Sequence, residues 1–351
     1  MDNEAAHAWQ VLYPPLQNHR HGWLDVGDGH EIYWEESGNP RAPAALFVHG
    51  GPGAGCTPND RRWFDPARWR IVLFDQRGAG RSRPQGALHA NTTAHLVADI
   101  EALRAHLNLP RWLVFGGSWG ATLALTYAQA HPAQVLALVL RGVFTATRAE
   151  SRWLYTAGGA AATHPHAWQR LADAAVPSSH LLDGLSMALN DSASGAALRA
   201  ARAWWRWEQD LMAPDSDSPA LAPAAPPGVD SSALFAAARI GVHYARHGYF
   251  LAEGQLLAEA AGLRDIPGVI VQGEDDTITP PQTACDLHRA WPATRLHLTP
   301  RAGHASSHPV VAQRLVAATD SFAPTPPTPG DTPWQNPSPG LMQAQPIAVS
   351  S

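Results

Sequence analysis

Gly116-Gly117-Ser118-Trp119-Gly120 sets a serine among glycines. A serine hydroxyl is a weak nucleophile on its own; it needs an adjacent base, and the base needs a third group to hold it. Glycines on both sides let the backbone turn sharply from a strand into a helix and lift the hydroxyl clear, as in a G-x-S-x-G elbow. Farther along, His304 lies in Ala302-Gly303-His304, and Glu274, Asp275 and Asp276 form a run of acids. The chain order serine, acid, histidine suits acyl transfer by a triad. With 18 histidines in the chain, only its place after the last strand signal singles out His304. Spacing alone does not choose among the three acids. A developing oxyanion also needs donors. One is the main-chain N–H of Trp119, just after the serine, and the loop His49-Gly50-Gly51-Pro52-Gly53 is placed to supply another.

These residues need a frame. Ala45–Val48, Ile71–Phe74, Leu113–Phe115 and Val135–Leu140 are short apolar runs rich in β-formers, as in strands buried on both faces. Leu96, Val97, Ile100, Leu103 and Leu107 recur at helical spacing, and Trp119 to Ala130 also reads as a helix. Strands alternating with helices predict a parallel sheet with right-handed crossovers. Gly22 to Glu36 alternates around Asp28-Gly29, the pattern of an antiparallel hairpin at the sheet edge. We divide the chain into a first core part (1–145), a helical cap (146–262), a second core part (263–323) and a Pro-rich tail (324–351). The cap loses the strand signal; it carries a helix over Leu198 to Leu211 and a loop over Pro214 to Pro227. Strands return at Gly268–Val271 and Leu296–Leu298, with helices at Pro281–Trp291 and Pro309–Phe322. The tail is too rich in Pro, Thr, Ser and Gln to bury a core and is expected to be disordered. The fold class is therefore α/β, an α/β-hydrolase: a mostly parallel sheet flanked by helices, with an inserted helical cap.

Composition narrows the function. At 351 residues the chain can bury a large core, and a net charge of −5 offers no overall basic field for nucleic acid or anionic lipid. No apolar run approaches the ~20 residues that span a bilayer. Two cysteines, Cys56 and Cys285, exclude a disulfide framework, and Met1-Asp2-Asn3-Glu4 lacks a signal-peptide pattern. The expectation is a cytoplasmic protein without metal or other cofactor. Most of the 14 tryptophans are expected to be bulky core residues.

Over roughly residues 12 to 322 the sequence resembles the proline iminopeptidase (prolyl aminopeptidase) family of serine peptidases. The resemblance rests on Asp28–Glu36, His49–Gly53, Asp75-Gln76-Arg77-Gly78-Ala79-Gly80-Arg81-Ser82, Asn91–Thr93, Gly116–Gly120 and Arg141–Phe144. In the cap it rests on Trp204–Glu208, Ala238–Ile240 and His243-Tyr244. It implies release of an N-terminal proline from a peptide with a free N-terminus, by an acyl-enzyme route. Residue by residue, it assigns Ser118, Asp276 and His304 to the triad and Gly51 and Trp119 to the oxyanion hole. It assigns Glu208 to the substrate's α-ammonium, and Phe144 and Trp153 to the proline pocket.

The sequence departs from that family pattern at four places. Gly241 stands where a second amine-binding glutamate is expected, Leu154 where an aromatic follows the cap tryptophan, and Thr279 and Ala79 where cysteines occur. None of the four is expected to touch the triad; three are expected at recognition positions. Two other readings compete. One is an esterase or amidase of different preference on the same scaffold. The other is a non-catalytic binding scaffold, against which the complete Ser-Asp-His set argues. A dehalogenase or epoxide hydrolase of this class would carry Asp in place of Ser118.

Overall fold

The computed structural model describes residues 11–191, 195–212 and 230–325. Eight strands form one sheet: β1 (Arg20–Asp25), β2 (Glu31–Gly38), β3 (Ala44–Val48), β4 (Arg70–Phe74), β5 (Trp112–Gly117), β6 (Val135–Arg141), β7 (Gly268–Gly273) and β8 (Thr294–Thr299). Their spatial order is β1-β2-β4-β3-β5-β6-β7-β8. The β1–β2 hairpin and the β2–β4 pair are antiparallel, and the remaining pairs are parallel.

The apolar runs of the central strands are continuous because both faces are covered. Leu46, Val72, Val114 and Leu138 pack on one side with α1 (Thr93–His106) and α2 (Trp119–Ala130). Their neighbours Phe47, Ile71, Leu113 and Val139 pack on the other with Val311 and Leu315 near the C-terminus. Each such side chain contributes roughly 1.5–3 kcal/mol on burial.

Among the described residues seven helices lie between β6 and β7. They are α3 (Arg148–Tyr155), α4 (Ala160–Thr163), α5 (Pro165–Asp173), α6 (Leu181–Asn190), α7 (Ala196–Met212), α8 (Ser231–Arg246) and α9 (Gln255–Ala258). Then α10 (Pro281–Ala290) follows β7 and α11 (Pro309–Phe322) follows β8. Helix α7 packs on α8 and α6, burying Trp204, Trp207 and Leu211 with Leu234, Ala238 and Ile240. This apolar cluster is continuous with one face of the sheet. The close approach depends on Gly241: a Cβ there would lie 3.0 Å from Trp204 Nε1.

Eight tryptophans (34, 63, 69, 112, 119, 204, 207 and 291) are buried, in keeping with the expected core role. Arg68 donates to the carbonyls of Asp320, Ala323 and Pro324, fastening the chain just past α11. The expected loop at Pro214–Pro227, the N-terminal Met1–Glu4 and the tail beyond Thr325 lie outside the described residues. Among the described residues no helix is long and apolar enough to cross a membrane.

Candidate active site

Ser118 sits between β5 and α2 with φ 58° and ψ −126°. A non-glycine residue in that region costs about 1–3 kcal/mol and persists only where its surroundings hold it. Its main-chain N–H donates to Arg141 O at 2.9 Å. A Cβ on Gly116 would strike the Gly120 carbonyl, and one on Gly120 would strike the Val48 carbonyl. The glycines of the motif are thus needed for backbone to pass backbone.

The acid and base come from loops after β7 and β8. Glu274 and Asp275 point to solvent, whereas Asp276 is buried. Its Oδ1 accepts from the main-chain N–H groups of Ile278 (3.0 Å) and Thr279 (2.8 Å). Its Oδ2 accepts from Gln272 Nε2 (3.0 Å), Thr279 Oγ1 (2.8 Å) and His304 Nδ1 (2.8 Å). Burial alone would raise this carboxyl; the His304 charge and these donors outweigh it and hold Asp276 below the usual carboxylate value. Burial lowers His304 below the ordinary imidazole value, against the pull of Asp276 and with the push of Arg141. The ring is therefore neutral at neutral pH. With Nδ1–H given to Asp276, the other ring nitrogen is free to accept a proton. Ser118 and His304 line the same cavity, without a hydrogen bond between them. Catalytic hydrogen bonds are often open in the free protein and close on the substrate.

The loop after β3 is held from beneath. His49 Nε2 accepts from Gln76 N (3.0 Å), and its Nδ1 lies 2.8 Å from Gly50 O and 3.2 Å from Gly55 N. Gln76 Nε2 donates to His49 O, and Gln76 Oε1 accepts from the Trp119 indole (2.9 Å). One side chain thus ties Gly51's loop to the residue after the serine. Among the described residues neither the Gly51 nor the Trp119 main-chain N–H donates to any protein acceptor, and both residues line the cavity. The Asp-Gln-Arg-Gly segment is itself pinned: Arg77 donates to both carboxylate oxygens of Asp99 (2.7 and 2.8 Å).

The cavity above Ser118 encloses about 400 Å³ between sheet and helical lobe. Phe144, Leu154, Tyr155 and Tyr249 form its apolar wall, and Glu208 of α7 reaches it from the lobe. Glu208 is half-buried at the cavity wall. Burial pushes that carboxyl up to about 8, only partly offset by a hydrogen bond from the Trp204 side chain. Sequence reasoning missed Tyr155 and Tyr249. Tyr155 stacks on Trp204 (centroids 5.2 Å apart), and Tyr249 packs against Trp119 and Phe144. Among the described residues no three His, Cys, Asp or Glu side chains converge as a metal site would require.

Two expectations need correction. Trp153 does not line the cavity. Its indole N–H is tied to the Thr277 carbonyl (2.7 Å), so α3 presents Leu154 and Tyr155 instead. Thr279 was expected to stay clear of the triad. Its hydroxyl in fact bonds Asp276 and lies 3.2 Å from His304 Nδ1. Leu154 is at the cavity wall, and Ala79 is buried away from it. Gly241 is not among the lining residues, because the Trp204 indole fills the space beside it.

Comparison with known proteins bears on this arrangement. Residues 43–308 match the family model described as alpha/beta hydrolase fold. The proline iminopeptidase of Xylella fastidiosa (strain Temecula1) is 46% identical over 316 residues, covering 89% of this chain and 99% of that protein. The proline iminopeptidase of Arabidopsis thaliana is 44% identical over 320 residues, covering 89% and 82%. Among solved structures, the proline iminopeptidase-related protein of Thermus thermophilus is similar in fold, with TM-score 0.52 at 22% identity, covering 86% of this chain and 99% of that one. A family model matched over residues 43–308, with relatives this similar over most of their length, places the chain in the proline iminopeptidase family of α/β-hydrolase proteins.

Proposed function

We propose that the protein is a serine aminopeptidase that releases an N-terminal proline from peptides through an acyl-enzyme. The observation that carries this reading is the meeting of Ser118 and Glu208 in one cavity, a serine hydroxyl at one wall and a half-buried carboxyl at another. Ser118 Oγ attacks the carbonyl of the first residue while His304 takes its proton, and Asp276 holds the resulting imidazolium. The main-chain N–H groups of Trp119 and Gly51 receive the oxyanion. His304 then protonates the leaving amine, the rest of the peptide departs, and water attacks the prolyl ester by the same route in reverse. Glu208 receives the substrate's α-ammonium, whose charge offsets the cost of ionising a buried carboxyl. Phe144, Leu154, Tyr155 and Tyr249 face the pyrrolidine ring. The helices within 146–262 act as a cap that sets Glu208 over the sheet. Two free cysteines support a reducing compartment, the cytoplasm, as the place of action.

A panel of aminoacyl anilides, each with a free and an acetylated N-terminus, tests the reading. Prolyl anilide with a free amine should be cleaved best, and acetylation should lower kcat/KM by roughly two to three orders of magnitude. Equal cleavage of free and blocked substrates, or preference for simple esters, would make the protein a general amidase or esterase.

A further inference from the structure

We infer that Thr279 is a positioning residue of the reaction: its hydroxyl, donated to Asp276 and set beside His304 Nδ1, fixes acid and base as one unit. This rests on the reading of Ser118, His304 and Asp276 given above. Thr279 is 1% exposed, so water does not compete for its hydroxyl. A hydroxyl has one proton, and an ionised carboxylate can only accept. The Thr279 proton therefore goes to Asp276 Oδ2, 2.8 Å away. Toward His304 Nδ1, at 3.2 Å, the oxygen has only lone pairs to offer. Asp276 and Thr279 thus both demand a proton on Nδ1, which leaves the other ring nitrogen free to take the serine proton.

The surroundings fix this hydroxyl. Threonine is stiff about χ1. Its main-chain N–H is given to Asp276 Oδ1 (2.8 Å) and its carbonyl accepts from Gln272 Nε2 (2.8 Å), which also bonds Asp276. Gln272 is fully buried, and its Oε1 accepts from Val143 N (3.0 Å). The imidazole is backed by Gly142, where a Cβ would come within 2.7 Å of His304 Cε1 and 3.3 Å of Thr279 Oγ1. His304 therefore has no room to swing away from Asp276 and Thr279 on that side. A cysteine at 279, as in the family pattern, would bring only a weak S–H donor.

The test uses the full chain and the variants Thr279→Val, Thr279→Ser and Thr279→Cys, each titrated at Ser118 with a fluorophosphonate. Thr279→Val should lower kcat on prolyl anilide about tenfold or more, the factor carried by a hydrogen bond to a charged group, with KM nearly unchanged. It should also move the downfield proton resonance of His304 Nδ1–H. Thr279→Ser should restore both, and Thr279→Cys should fall between; if the valine protein does not fold, the cysteine variant decides. Wild-type kcat and an unmoved resonance in the valine and cysteine proteins would overturn the inference. So would a serine variant as impaired as the valine one with an equal loss of melting temperature, which would mark a packing role. Failure of Ser118 to react with the probe in the wild type would instead remove the triad reading on which the inference stands.

Discussion

The sheet and the helical lobe each bring a carboxyl toward the same cavity, one buried and one half-buried, and the two are built on opposite plans. Asp276 lies in a loop after β7, where two main-chain N–H groups, an amide, a hydroxyl and an imidazole all turn toward it. It is held ionised below the usual carboxylate value. Glu208 lies in the C-terminal third of α7, where the helix uses its own N–H groups and the indole of Trp204 is the hydrogen-bond donor that opposes burial. Its carboxyl is pushed up to about 8. On the proposed reading, a group that must stay charged through every turnover is satisfied in advance by the protein. A group that is to receive a cation is left short of partners, so that the ligand completes it. The sheet supplies the first kind because loops at strand ends expose free N–H groups; a helix face supplies the second because it exposes almost none.

That contrast can be broken from either side. Ser118→Ala should remove nearly all turnover, by roughly 10⁴-fold or more in kcat, with the fold intact by circular dichroism. Residual activity within tenfold of wild type would remove Ser118 as nucleophile. Asp276→Asn should fall next, by about 10³–10⁴ in kcat, because the amide no longer holds the required tautomer. Asp275→Asn, at an exposed position, should leave kcat unchanged.

Glu208→Gln should act differently from both. It should lower kcat/KM by about two to three orders of magnitude on free-amine substrates and little on blocked ones. A similar loss on both would show that Glu208 supports the lobe and does not bind the amine.

The pH profile separates the two carboxyls again. His304 accepts the serine proton only when neutral, and its value lies below the ordinary imidazole value. Turnover should therefore rise with pH through a step on the acid side of ordinary histidine and then level off. Glu208 must be ionised to meet an ammonium, and in the free protein its carboxyl holds its proton up to about 8. kcat/KM for free-amine substrates should show a second rise near that pH, and Glu208→Gln should abolish it. A single step in both proteins would show that the lobe carboxyl is not raised as its burial implies.

A smaller effect is expected at Gly241. The Trp204 indole stands where a side chain at this position would grow. Gly241→Glu should therefore lower the melting temperature and weaken free-amine cleavage by displacing Trp204 from Glu208. A gain in selectivity for free amines would show that the lobe has room for a second carboxylate.

Much of this molecule was legible in one dimension because the signals are local. Helix α2 begins at Trp119 and ends at Ala130, and α11 spans Pro309–Phe322, both where the sequence reading places a helix. The elbow was legible because a turn that brings backbone against backbone admits only glycine at Gly116 and Gly120. The choice among Glu274, Asp275 and Asp276 was not legible from spacing. Which of three adjacent acids turns inward depends on where the donors stand, and Gln272 and His304 come from separate strands and loops. The same holds for Trp153, diverted by the Thr277 carbonyl, and for Tyr155 and Tyr249, which reach the cavity by stacking on Trp204 and Trp119. Sequence by itself determined the sheet, the chain order of the candidate serine, acid and histidine, and the serine turn, because these follow from short-range sterics and periodic burial. Tertiary structure alone decided which carboxyl is charged and which is starved of donors, because that depends on groups distant in the chain converging on a single atom.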